Sequence, residues 1–148
     1  MKHFGMEPLV PKINIKAISF AYDNMPQSSG VILDSKKVEK EEVDRGENIL
    51  IQKLITDDQG AENCFMRKFT IKPGGSMPHH EHDKTDHVQY ILKGKMKVKL
   101  GKNSNTAEEG NVLHIPSDVP HSYQNPYDEE VVFLCIVPAG DIKTQIKE

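Results

Sequence analysis

Seven histidines lie in this chain of 148 residues, and four of them, His79, His80, His82 and His87, fall within nine consecutive positions. Imidazole is the commonest side-chain metal ligand, so clustering of this kind points first to coordination of a divalent metal. Side chains alternate along an extended strand, and His80 and His82 therefore present both rings to one side, where they can converge on one ion without distorting the backbone. The intervening Asp83-Lys84-Thr85-Asp86 is long enough to loop back and return His87 to the same point. His121, just after the proline-bounded turn at residues 116–120, completes the candidate set. His3, His79 and His114 are expected to be ordinary surface or core residues, His79 because it adjoins His80 and would point to the opposite face of a strand.

A second chemical signal is Arg67. In Phe65-Met66-Arg67-Lys68-Phe69-Thr70-Ile71 it shares a face with Phe65, Phe69 and Ile71, and a guanidinium on an apolar face is costly without a partner. Either it orients an anionic or carbonyl-bearing substrate, or it forms a buried or rim salt bridge. Phe133 and Cys135 also share a face and are candidates to wall the same cavity, Cys135 alternatively being a core thiol.

These residues need a scaffold of strands. Sustained helical periodicity is missing, whereas short apolar runs recur between Gly, Pro, Asn and Asp clusters, the pattern of a sandwich or barrel. The expected strands are residues 13–20, 49–55, 64–71, 87–92, 95–100, 111–115 and 131–137. The punctuation between them includes Lys72-Pro73-Gly74-Gly75, Lys93-Gly94, and residues 101–105, 116–120 and 125–129. Lys95-Met96-Lys97-Val98-Lys99-Leu100 alternates strictly, which predicts Met96, Val98 and Leu100 inward and three lysines in water. Residues 1–45 read as an N-terminal arm, made of an edge strand and the charged connector 36–45; residues 46–140 read as the barrel and 141–148 as a polar tail.

The balance of 19 basic and 22 acidic residues, a net charge of −3, lacks the basic excess that a phosphate backbone demands, so nucleic acid is not expected as a partner. Neither a signal-peptide core nor a membrane-length apolar run is apparent, and no membrane partner is expected. The two cysteines, Cys64 and Cys135, are far apart and form no CxxC pair, which suits a reduced, cytoplasmic setting without a disulfide.

Two spaced runs then resemble a known family. Gly74, five residues, His80, one residue, His82, four residues, His87, six residues, Gly94 resembles the first cupin motif, and Gly110, five residues, Pro116, then His121 and Asn125 resembles the second. The resemblance covers roughly residues 49–139 and implies an all-β double-stranded β-helix, a jelly-roll barrel, here with an N-terminal extension. This chain carries His87 where most cupins have a glutamate ligand, and Asp118 where the second motif has glycine. The first difference makes the site a four-histidine one; the second is expected to alter only a turn. Within cupins the chain resembles the small single-domain, four-histidine type, which implies one divalent metal per chain, manganese favoured, with iron, nickel, zinc and copper compatible with imidazole donors.

With four neutral ligands an octahedral ion keeps two positions open for catalysis, whereas a tetrahedral zinc is closed and structural. The leading expectation is a metal-dependent oxidoreductase, a dioxygenase or oxidative-cleavage enzyme, acting on a small organic molecule. The alternatives are redox-free isomerase or lyase chemistry on a sugar-derived acid, in which Arg67 grips a carboxylate, and a non-catalytic metal- or ligand-binding module. A homodimer is expected, since cupins commonly pair through strand edges and the strand at 13–20 would cover one.

Overall fold

The computed structural model describes residues 30–141 and 144–146. The strand expected at 13–20, and His3, lie outside the described residues. Along the described chain run β1 (Glu41–Glu42), β2 (Glu47–Ile55), a 3-10 turn (Asp57–Gln59), β3 (Cys64–His82), β4 (His87–Lys93), β5 (Lys95–Leu100), β6 (Asn103–Glu108), β7 (Val112–Ile115), β8 (His121–Gln124), β9 (Val131–Pro138) and β10 (Thr144–Ile146). They form one curled antiparallel sheet in the order β6-β5-β8-β3-β9-β4-β7, with β2 and β10 also on β3 and β1 on β2. The all-β cupin-type barrel expected from the motifs is the fold observed. Among the described residues no helix is long and apolar enough to cross a membrane.

The long strand β3 organises the barrel because it serves two sets of neighbours. Its first half pairs with β2 and β9, and Ser76, Met77 and His80 then pair with β8. The Pro73-Gly74-Gly75 step between them was expected to be a turn; it is a bend within one continuous strand. Gly74 takes φ +79°, and a Cβ on Gly75 would sit 2.7 Å from Ile71 Cγ2 and 2.9 Å from the Asn48 carbonyl oxygen. Asn125 clamps the bend. Its Nδ2 donates to Ile71 O (3.0 Å) and Glu129 O (2.8 Å), and its backbone exchanges hydrogen bonds with Gly74 and Gly75. That explains why this second-motif residue is an asparagine with 1% exposure.

Alternation supplies the core. Inward positions of β4, β5, β8 and β9 place Ile91, Met96, Val98, Tyr123, Val131, Phe133 and Val137 in one apolar cluster with Phe69 and Ile71 from β3. Met96 and Val98 are buried while Lys95, Lys97 and Lys99 face water, as the pattern requires. At Gly94, between β4 and β5, φ is +75° and a Cβ would lie 2.5 Å from the Glu130 carbonyl oxygen, so only glycine permits this tight connection. The tail at 141–148 is not merely a polar end: Thr144, Gln145 and Ile146 pair with His82, Glu81 and His80 of β3. Cys64 is exposed, Cys135 is buried, and both are free thiols.

Candidate metal centre

Three strands bring the four histidines together. His80 and His82 project inward from the end of β3, His87 opens β4 and His121 opens β8, and all four are at most 4% exposed. His80 and His121 stand directly opposite each other across the β3–β8 ladder, with ring centroids 4.2 Å apart. Possible ligand nitrogens of His80, His82 and His121 all lie within 4.8 Å of one another. His87 is outside that tight trio but faces the same space, its ring centroid 4.4 Å from His82 and 5.4 Å from His121.

Hydrogen bonds decide which nitrogen is available. His80 Nδ1 lies 2.7 Å from Pro78 O and His121 Nδ1 2.9 Å from Val119 O. A carbonyl can only accept, so each Nδ1 carries the proton and each Nε2 presents a lone pair. His82 Nδ1 lies 3.0 Å from Thr144 Oγ1, and His87 Nδ1 lies 3.7 Å from Cys135 Sγ. The Nε2 atoms of His87 and His121 are buried without a hydrogen-bond partner. Orphaned lone pairs converging beside fixed outer hydrogen bonds are what a metal-binding imidazole set requires, and the residues fit a divalent transition metal.

The rings are held neutral. Burial is the main cause at every one: His80 is pushed down to about 4, His82 to about 3 and His87 to about 2, and His121 is also lowered. Repulsion from other rings of the set adds to this at His80, His82 and His87, and repulsion from His79 at His80 and His121, as do Arg45 at His80, His82 and His121 and Arg67 at His82 and His87. At neutral pH the imidazoles are therefore in the ligand form.

The histidines line one side of a narrow pocket whose remaining wall includes Phe69, Phe133, Cys135, Gln89, Tyr123 and both Arg67 and Arg45. Arg67, Phe133 and Cys135 thus sit where alternation placed them. Arg67 makes no ion pair among the described residues; its Nη2 donates to Cys135 Sγ at 3.3 Å and its guanidinium carbon lies 5.4 Å from the Phe69 ring centre. His114 is exposed and pairs with Asp86 at 3.2 Å, outside the pocket.

Four pocket or supporting residues escaped the sequence reading. Gln89 and Tyr123 follow His87 and His121 by two positions, so strand alternation carried the signal for both; Gln89 Nε2 donates to the Tyr123 hydroxyl at 2.8 Å. Burial drives the Tyr123 phenol upward, so it stays protonated. Arg45 and Thr144 are brought in from the connector and the tail by tertiary pairing, and nothing in their local sequence marks them.

Residues 67–137 match the Cupin_2 family model, described as a cupin domain. Over 100 residues the chain is 27% identical to the polyketide synthase CurC of Streptomyces cyaneus, covering 67% of this chain and 63% of that one. It is 31% identical to the 1-methylthio-D-xylulose 5-phosphate methylsulfurylase of Rhodospirillum rubrum, covering 55% of this chain and 51% of that one. Each alignment thus spans between half and two thirds of the curated relative. Among solved structures, the polyketide cyclase RemF of Streptomyces resistomycificus superposes with a TM-score of 0.74 at 24% identity, covering 78% of this chain and 84% of RemF.

Proposed function

We propose that this chain, whose residues 67–137 match a cupin-domain model, is a metal-dependent oxidoreductase acting on a small organic molecule. His80, His82, His87 and His121 hold one divalent transition metal per chain, with manganese the ion we favour. The observation that carries this reading is the convergence of three buried, neutral imidazoles, His80, His82 and His121, with His87 facing the same space and the Nδ1 atoms of all four beside hydrogen-bonding groups. Bound there, such a metal supplies Lewis acidity and, for manganese or iron, a route for electrons to dioxygen or peroxide.

The chain's own residues do the remaining work. Phe69, Phe133 and Tyr123 wall the pocket with aromatic surface that excludes water. Arg67 projects into it and orients an oxygen-bearing substrate. Gln89 fixes the Tyr123 hydroxyl, which keeps its proton and serves as a hydrogen-bond donor. Oxidation is preferred over isomerase or lyase chemistry because no Asp or Glu lines this pocket, leaving proton abstraction without a carboxylate base. A second reading, in which the metal would act only as a Lewis acid, uses the same histidines and the same pocket.

Elemental analysis of protein made without an affinity metal or chelator tests the site. Near one metal per chain in wild type, reduced in His87→Ala and His80→Ala, is expected; none after reconstitution with manganese, iron and zinc refutes it. Oxygen consumption by manganese- or iron-loaded protein on a panel of small oxygen-bearing compounds separates the two reaction classes. Turnover of the same compounds by zinc-loaded protein under anaerobic conditions would establish the redox-free reading instead.

Homodimerisation belongs to the same proposal. Val88, Tyr90 and Leu92 of β4, Val112 of β7 and Ile136 of β9 are exposed on the outer face of three adjacent strands. Contiguous apolar area of this kind is what a second copy would cover.

A further inference from the structure

Arg45 and Arg67 reach the histidine pocket from different elements, Arg45 from the loop between β1 and β2 and Arg67 from β3. Neither forms an ion pair among the described residues. The ion pairs among the described residues join Lys53 to Glu41, Lys93 to Glu130 and His114 to Asp86, all at exposed positions. The contacts Arg67 does make, with the Cys135 thiol and the Phe69 ring, are to neutral groups, and its Nε is buried without a hydrogen-bond partner.

The electrostatics run one way. Arg45 is exposed to solvent on its outer side; partial burial of its guanidinium lowers it first, and repulsion from Arg67 lowers it further, while its chain neighbour Asp44 pulls the other way. Two like charges therefore share a pocket walled by Ile49, Phe69, Ile71 and Phe133, with no carboxylate in its lining. Arg67, half-buried with its Nε unpartnered, carries most of the cost of this arrangement, and an anion held between it and the more exposed Arg45 would offset that cost. The planar fork of arginine suits this task, since it meets carboxylate or phosphate oxygens through two parallel N–H donors. By contrast, the cationic groove formed by Lys97 and Lys99 lies on the open outer face of β5 and offers only point charges in water.

We propose that Arg45 and Arg67 form an anion-binding subsite beside the histidine cluster, and that the substrate is a small molecule bearing a carboxylate or phosphate group. The assignment rests on the pocket being the substrate site proposed above, and it does not require the metal to be present.

The test is calorimetric titration of acetate, oxalate and inorganic phosphate into wild type, Arg45→Gln, Arg67→Gln and Lys97→Gln. Each protein is studied both zinc-loaded and freed of metal and then of chelator. One anion per chain is expected in at least one form, weakened about ten-fold or more by each arginine substitution and unaffected by Lys97→Gln. Preference for acetate or oxalate over phosphate, or the reverse, identifies the group carried by the substrate. Absence of binding in both forms overturns the proposal, and wild-type affinity in either arginine variant overturns the paired assignment. If a variant fails to fold by circular dichroism, protection of Arg45 and Arg67 in the wild type against phenylglyoxal decides the matter. Protection by the anion, read by peptide mass spectrometry, supports the subsite, and equal modification with and without it overturns it. Arginine-dependent binding in a protein that takes up no metal would sink the metal reading and leave this one standing; metal uptake with arginine-independent anion binding would do the opposite.

Discussion

Replacing Thr144 with valine keeps the β-branched shape that suits β10 and removes the hydroxyl that lies 3.0 Å from His82 Nδ1. In the metal-free protein that hydrogen bond contributes about 0.5–1.5 kcal/mol, so the variant should fold with nearly the wild-type melting temperature. Coordination at Nε2 withdraws electron density from the ring and makes Nδ1–H a stronger donor, so the bond contributes more when metal is bound. Only that difference is visible as affinity. A loss of about ten-fold, equivalent to roughly 1.4 kcal/mol, is expected, the lower end of what outer hydrogen-bond partners of ligating histidines contribute. Competition between the protein and a chromogenic chelator for zinc measures it. Thr144→Ser restores the hydroxyl and should recover most of the affinity, whereas Asp86→Asn, which alters only the exposed pair with His114, should leave it unchanged. Unchanged zinc affinity in Thr144→Val would refute the idea that the C-terminal strand orients His82.

Acid should destabilise the metal-free protein early. Because burial lowers His80, His82, His87 and His121 below the unfolded value of 6.5, the unfolded chain takes up protons first. Their stabilising contribution is complete above about pH 6.5 and is lost as pH falls through 4 toward 2; denaturant melts should show it, and a flat profile from pH 7 to 4.5 would contradict the assigned burial. Asp118 takes φ +61° where the cupin motif has glycine, and its backbone N–H donates to His82 O at 3.1 Å. Asp118→Gly should therefore stabilise the fold by up to about 1 kcal/mol, measured by urea denaturation, with metal stoichiometry unchanged. For the dimer, Val112→Lys together with Tyr90→Lys should convert the sedimenting species to a monomer; wild type that sediments as a monomer at micromolar concentration removes the proposal.

How far this site could be read from sequence depended on whether the signal was local. Alternation within a strand is a property of consecutive residues, and it correctly set His80 beside His82 and turned Arg67, Phe133 and Cys135 inward. The same rule, applied from His87 and His121, would also have turned Gln89 and Tyr123 into the pocket. Length and continuity of strands were harder. Pro73-Gly74-Gly75 carries turn residues, yet β3 passes through it, because Asn125 lies 50 or so positions away and supplies the hydrogen bonds that convert a turn into a bend. β6, with the sequence Asn-Ser-Asn-Thr-Ala-Glu, has almost no strand propensity of its own and exists because it pairs with β5. β10 and Arg45 are placed wholly by long-range pairing, and no window of sequence contains that information.

One substitution unites the two halves of the site. The glutamate that most cupins carry at the position of His87 would stand at the first inward residue of β4, within the electrostatic reach of Arg67. Such a carboxylate would do two things at once: lower the charge of a bound metal and balance a guanidinium. With His87 in its place both functions would lapse together, leaving a set of neutral imidazoles and two arginines that form no ion pair among the described residues. A divalent ion held there would keep its full charge and add it to theirs, so an anion entering the pocket would meet three cationic groups and no carboxylate in the lining. By linkage each would then strengthen the other: metal should raise affinity for the anion, and the anion should raise retention of the metal by the same factor, so zinc affinity measured with and without the anion tests the coupling.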